Sequence, residues 1–288
     1  MKKFLATLCT AMLLFTGCGG SGQQAVDKPG NNFSGKEVQL GMITRTNTDE
    51  TKMDSFIAKI EEAAGVKDTH NRPKFYDSLT EMQMGIESGA IEQISLYKCV
   101  ANYLIATNKD KYETVPNESF NKITDAFCFA VRKDDVALKA ELDKAIDAMK
   151  SDGTLDKLIN EYITNVNADN IPAVTITKIE GVDTIKVGVT GDLPPLDLIM
   201  PDNSPAGFNT AMLAEISKRI NKNIEPVQIK SGARAAALQS NLIDVVFWVI
   251  VPVGNDNMPA DIDKPEGLEL SQPYFKDNIA LIKLKDKG

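Results

Sequence analysis

The chain has 288 residues, enough for two small domains or one two-lobed unit, each burying a core of its own. Hydrophobic residues make up 43% and charged residues 25%, the proportions of a soluble globular protein. Thirty-two basic residues against 40 acidic ones leave a net charge of -8, which argues against nucleic acid as a partner.

The first residues differ from the rest. Met1-Lys2-Lys3 is basic, Phe4 to Phe15 is apolar, and Thr16-Gly17-Cys18 follows. This is the layout of a secretory signal peptide, expected over residues 1–17. The apolar run falls short of the roughly 20 residues a membrane-spanning helix needs. Leu14-Phe15-Thr16-Gly17-Cys18 resembles a bacterial lipobox, with Phe15 where Leu is usual. The resemblance implies that Cys18 carries lipid. Gly19-Gly20-Ser21-Gly22-Gln23-Gln24 opens a polar tether, residues 18–32, suited to lift a domain off a membrane. Cys9 would leave with the signal. Cys99 and Cys128 remain, either as one disulfide or as two buried thiols.

Further on, apolar spacing predicts alternating strands and helices. Strands are expected at Val38–Ile43, Phe75–Tyr76, Ile91–Ser95 and Ala126–Val131, and helices at Asp54–Ala64, Leu79–Ser88, Cys99–Ala106 and Val136–Met149. The last of these turns Leu138, Leu142, Ala145, Ile146 and Met149 inward, and a short helix at Leu155–Ile163 follows it. Thr69-His70-Asn71-Arg72-Pro73 reads as a loop with a solvated His70, the only histidine. Asn165 to Thr177 lacks a period and contains Pro172, so it marks a linker. A second stretch repeats the alternation. It has strands at Ile185–Val189, Val245–Val251 and Ile279–Leu284, helices at Phe208–Ile220 and Ala233–Gln239, and a turn-rich loop at Pro259–Gly267. Strands alternating with helices imply a largely parallel sheet in each part, an α/β fold.

Ile185-Lys186-Val187-Gly188-Val189 through Asp192-Leu193-Pro194-Pro195 resembles the opening strand of lobe one in the family 3 extracytoplasmic solute-binding proteins, the amino-acid receptors of ABC importers. Ala206-Gly207-Phe208-Asn209 resembles their turn into the first helix. Arg234 with Ala237-Leu238-Gln239-Ser240-Asn241-Leu242-Ile243-Asp244, and Leu270-Ser271-Gln272-Pro273-Tyr274-Phe275, resemble the next segments. The earlier half resembles the remainder. Ser34-Gly35-Lys36-Glu37-Val38 is similar to the start of lobe two, Ser88 to Ile105 to its middle, and Phe129-Ala130-Val131-Arg132-Lys133 to the returning hinge strand. Met149-Lys150-Ser151-Asp152-Gly153-Thr154-Leu155 resembles the closing helices.

The resemblance implies a two-lobed periplasmic-binding-protein type II fold, the Venus-flytrap arrangement, with the lobe order exchanged. Lobe two would occupy residues 33–125 and the closing strand and helices of lobe one 126–165. A linker would fill 166–183, and the opening part of lobe one with the crossover strand 184–288. This is the pattern of a circular permutation, or of two truncated copies completed by domain swapping.

The same resemblance implies a small-molecule ligand held between the lobes, an ABC permease as partner, amino-acid-type transport, and no cofactor. The family's α-amino-acid site uses an Arg for the carboxylate and an Asp in lobe two for the amino group. Here Val245 to Asp256 contains no Arg, and Tyr97-Lys98 stand where the Asp is expected. The expected ligand is therefore not a standard amino acid. Candidate ligand contacts are Thr44, Arg45, Thr46 and Asn47, whose backbone N–H groups and hydroxyls between a strand and a helix suit an anion. Tyr97, Asp192 and Trp248, the only tryptophan, complete the set. Each has a plainer reading as well: helix cap, turn acid or cleft filler. Function then reads as solute capture outside the cytoplasm by a membrane-anchored lipoprotein. The alternatives are a sensor or degenerate binding lipoprotein and an enzyme, a dehydratase or cell-wall lyase, on the same fold.

Overall fold

In the computed structural model, residues 35–166 and 171–286 are described, within one compact unit. The signal, lipobox and tether expected over residues 1–32 lie outside the described residues, as does part of the linker.

The chain begins with β1 (Lys36–Ile43), α1 (Glu50–Ala63) and β2 (Thr69–Tyr76). Asp49 caps α1 by accepting from the Lys52 N–H. β2 is parallel to β1 along its full length, from Lys36 opposite Thr69 to Ile43 opposite Tyr76. The expectation of a loop at Thr69–Pro73 is thus corrected. β2 lies at the sheet edge, with β1 its only neighbour in the strand order, and an edge strand accommodates Pro73. His70 is buried rather than solvated, with Nδ1 2.5 Å from Glu61 Oε2 and Nε2 3.0 Å from Asp54 Oδ1.

Next come α2 (Leu79–Glu87), β3 (Gln93–Tyr97) and α3 (Lys98–Thr107). Ser78 caps α2 by accepting from the Glu81 N–H, a Ser-x-x-Glu start. β4 (Tyr112–Val115) and α4 (Glu118–Asn121) precede the long strand β5 (Thr124–Arg132). α5 (Val136–Ser151) and α6 (Thr154–Ile159) follow, and α6 runs on into a π-helical turn at Asn160–Thr164.

Beyond the linker stand β6 (Thr184–Val189) and three short strands, β7 (Asp192–Leu193), β8 (Asp197–Ile199) and β9 (Pro205–Ala206), which form a separate small sheet. α7 (Gly207–Ile220), β10 (Asn223–Gln228), α8 (Arg234–Gln239) and β11 (Val245–Val253) come next. β12 (Leu268–Leu270) and β13 (Phe275–Leu284) close the chain.

The large sheet runs β10-β6-β11-β5-β13-β3-β1-β2, with β12 on β5 and β4 on β13. Its two ends are parallel: β10, β6 and β11 on one side, β3, β1 and β2 on the other. β5 and β13 lie between them and are antiparallel. β13 changes neighbours midway. Phe275–Asn278 pairs with β5, and Ile279–Leu284 pairs with β3 and β4. One half of the sheet therefore draws on residues 36–97, β4 and the end of β13. The other draws on β5 and on β6, β10 and β11 from beyond the linker. α5 packs on α6 and α7, so elements from both sides of the linker meet there. The linker itself lies against this half: Asn223 accepts from the Ile179 N–H at 2.8 Å and donates to its carbonyl at 2.9 Å.

A single apolar cluster extends through both halves, from Leu40 and Met82 to Phe208, Phe247 and Leu281. At its centre aromatic rings meet edge-on or tilted around the two middle strands. Phe127 lies 4.6 Å from Tyr97 and 5.3 Å from Phe275, and Phe129 lies 5.0 Å from Phe247, ring centre to ring centre. Cys99 and Cys128 are both buried free thiols.

Candidate functional site

The carboxyl ends of β1, β2 and β3 face the other half of the sheet. Loops leaving parallel strands at that edge are where α/β folds gather ligand-binding groups. β1 ends at Ile43, and Thr44 to Thr48 runs from there to the Asp49 cap of α1. The Thr44 carbonyl accepts from Arg234 Nη2 at 3.1 Å, a contact from one half to the other. Arg45 is buried. Its Nη1 donates to the Tyr97 hydroxyl at 3.2 Å, and Nη2 stands 3.8 Å from Asp125 Oδ2.

Thr46 holds a carboxylate. Its N–H donates to Asp263 Oδ1 at 2.6 Å, and its hydroxyl lies 2.8 Å from the same oxygen and against the Asp263 carbonyl. Asn47 donates to the Asp261 carbonyl at 2.8 Å, and the Thr48 hydroxyl to the Ile262 carbonyl at 2.7 Å. The other Asp263 oxygen accepts from the Ile250 N–H of β11 at 3.1 Å. Asp263 is 0% exposed.

Arg234 anchors the opposite wall. Although 1% exposed, its guanidinium donates to the carbonyls of Ser231, Trp248 and Thr44. It sits 4.1 Å from the Trp248 ring centre, a cation–π contact, and 3.8 Å from Asp263 Oδ1. Burial presses its pKa down, and Asp263 works against that. Trp248 is 3% exposed, with Arg234 over its ring and Tyr97 edge-on at 6.0 Å.

Asp125, at the start of β5, is 0% exposed. Neither of its oxygens has a hydrogen-bond partner, nor has Arg45 Nε. Burial lifts the Asp125 pKa to about 6, overcoming the pull of Arg45, with Asp263 and Asp277 adding to the rise. Two small cavities border Arg45, each of about 20 Å³. One reaches Asp125, Met53 and Met258, the other Tyr97 and Leu193.

Asp192 joins the halves at a second point. Its Oδ2 accepts from the Leu79 N–H at the start of α2, at 2.7 Å. Burial raises its pKa to about 6, and the Leu79 and Thr80 N–H groups oppose that. Asp77 accepts from the Gly232 N–H at 3.0 Å and Lys230 pairs with Glu81 at 3.0 Å, so the junction is tied along its length.

The structure thus brings Thr44, Arg45, Thr46, Asn47, Tyr97 and Trp248 to one junction and places Asp192 at a second contact of the same two halves. Sequence reasoning passed over Arg234, Asp125 and Asp263 as site residues. Arg234 carried a signal, a lone cation within Ala233-Arg234-Ala235-Ala236-Ala237-Leu238. Asp263, in a turn-rich loop, carried none. Among the described residues no cluster of potential metal ligands occurs, and no helix is long and apolar enough to cross a membrane.

The chain belongs to the bacterial extracellular solute-binding proteins, family 3, whose sequence profile matches residues 28–165 and 185–288. Its fold is the two-lobed α/β fold of type II periplasmic binding proteins, and membership places it outside the cytoplasm as a solute-binding protein.

Solved structures similar to it include the ligand-binding component of an ABC-type import system from Staphylococcus aureus, crystallised with zinc. That chain is 10% identical, with 86% of this chain and 66% of that chain covered and a TM-score of 0.41. The methionine binding protein MetQ is 10% identical over 87% of this chain and 84% of that one, with a TM-score of 0.40. The periplasmic aliphatic sulphonate binding protein SsuA from Escherichia coli is 11% identical over 88% and 62%, with a TM-score of 0.35. No curated protein matches the chain by sequence.

Proposed function

We propose that this protein is an extracytoplasmic solute-binding lipoprotein that captures a small molecule between its lobes and presents it to an ABC permease. The observation that carries the reading is the convergence of Arg45, Thr46, Tyr97, Arg234 and Trp248 on one junction flanked by the two middle strands. Two bodies joined by a pair of strands can turn about them, and a ligand touching both favours the closed arrangement. The lipid on Cys18 and the tether over 18–32 would hold the protein at the membrane, and nucleic acid has no part in the reading.

The pairing of β5 with strands from beyond the linker supports a circularly permuted order. Residues 33–125 then form lobe two, 126–165 close lobe one, 166–183 link, and 184–288 open lobe one and cross over. The chain acts as a binding protein rather than an enzyme. His70, the one histidine, is engaged by Glu61 and Asp54 at the start of β2, the strand end away from the junction.

Thr44, Arg45, Thr46, Asn47, Tyr97, Asp192 and Trp248 are the proposed contacts. Their chemistry suits a small molecule with an apolar or aromatic face and an anionic group at Thr46, where N–H and hydroxyl already hold a carboxylate. Trp248, the only tryptophan, reports on this site directly. Titrating the mature protein with aromatic and heterocyclic acids should change its fluorescence, whereas standard amino acids should not. Micromolar binding of glutamine or arginine would sink the assignment. The second reading, a binding lipoprotein that no longer transports, draws support from the protein groups filling the junction, and silence of Trp248 toward every solute would favour it.

A further inference from the structure

We propose that the loop between β11 and β12 is a built-in occupant of the cleft, with the Asp263 carboxylate standing where a captured monocarboxylate binds. The inference rests on the reading that the lobes close on a solute. Asp263 has the bonds such a solute would have. It accepts from Thr46 on one lobe and from Ile250 on the other, at 2.6 and 3.1 Å, and it is fully buried. A side chain that served only its own loop would not need donors from both lobes.

The loop arrives by few, adaptable contacts. Asn47 and Thr48 hold the Asp261 and Ile262 carbonyls, and Met258 and Ile262 are its buried apolar residues. From Gly254 to Gly267 no helix or strand stiffens it. It can therefore leave as a segment without unpicking the sheet.

Charge identifies the ligand class. Arg45 and Arg234 face Asp125 and Asp263 in the junction, two of each sign. Asp77 and Asp277 lie nearby, but each answers a backbone N–H, of Gly232 and Cys99 respectively. Withdrawing Asp263 strips Arg234 of its carboxylate at 3.8 Å and leaves three donors unanswered, the Thr46 N–H and hydroxyl and the Ile250 N–H. A monoanionic carboxylate restores both charge and bonds. A cation restores neither, and a neutral acceptor restores the bonds but not the charge.

A tethered group competes at an effective concentration on the order of millimolar. Free carboxylates then bind wild type weakly and bind better once Asp263 is shortened. The test uses the full mature chain with Asp263→Ala and Asp263→Asn, titrated with formate and acetate against chloride at matched ionic strength. Melting temperature and Trp248 fluorescence are the readouts. Asp263→Ala should melt below wild type and recover with formate or acetate, binding them about tenfold or more tightly than wild type does. Asp263→Asn keeps the side chain's size, guards against a variant that does not fold, and should show the same preference more weakly. The proposal fails if neither variant gains a carboxylate-specific response, or if chloride acts as well as formate. The two readings fail separately. A wild type that binds no solute tells against transport, while rescue by formate concerns Asp263 alone.

Discussion

At the scale of single residues, Asp125 shows burial winning over charge pairing. Arg45 stands 3.8 Å away, yet without a hydrogen bond to either oxygen the carboxylate stays costly to ionise, and its pKa rises from 3.8 to about 6. A carboxyl whose folded pKa exceeds its unfolded one stabilises the fold when protonated. That contribution is full below the unfolded pKa and is lost as pH rises through about 6. The shift is worth on the order of 2–3 kcal/mol. Asp125→Asn should remove this dependence. Urea unfolding across pH 4 to 7 should show wild type losing stability relative to the variant as pH rises, and parallel curves would refute the assignment.

Among elements, α2 and the turn after it pack closely on β1 at Gly41. A Cβ at Gly41 would lie 2.4 Å from Ile91 Cδ1 and 2.9 Å from Met82 Cγ, both fully buried. Neither side chain has room to yield in a filled core, so Gly41→Ala should cost about 1–3 kcal/mol of stability in denaturant unfolding. An unchanged midpoint would mean that α2 shifts freely. At this scale the periodic segments were legible. α5, α7 and β11 stand within a few residues of the expected spans, since their apolar spacing is long and regular. β2 was legible only at Phe75–Tyr76, because Pro73 speaks against a strand until one sees that it lies at an edge. β4 and β10 escaped notice for a related reason. Tyr112–Val115 and Asn223–Gln228 are short and partly polar, and pairing with β13 and β6 makes them strands.

For the whole molecule, β5 and β13 are the organising pair, since together they stand between the parallel strands of the two lobes. Attachment to a membrane through Cys18 would leave this body free to meet a permease while held near it. Replacing Cys18 by Ala should abolish incorporation of a fatty-acid probe in cells and release the protein from the membrane fraction. Labelling that persists would refute lipid attachment at Cys18.

The sequence alone determined the family, the α/β class and most helices. Those follow from local periodicity and from short motifs such as Leu270 to Phe275, which neighbours along the chain suffice to define. It also pointed to Thr44 to Asn47, because a strand followed by hydroxyl residues and a helix start is a local pattern. Only the tertiary structure decided what those residues meet. Asp263 reaches Thr46 across 217 positions and Arg234 reaches Thr44 across 190. Burial, which turns these polar groups into a closed electrostatic network, depends on both lobes arriving together, and no stretch of sequence carries that.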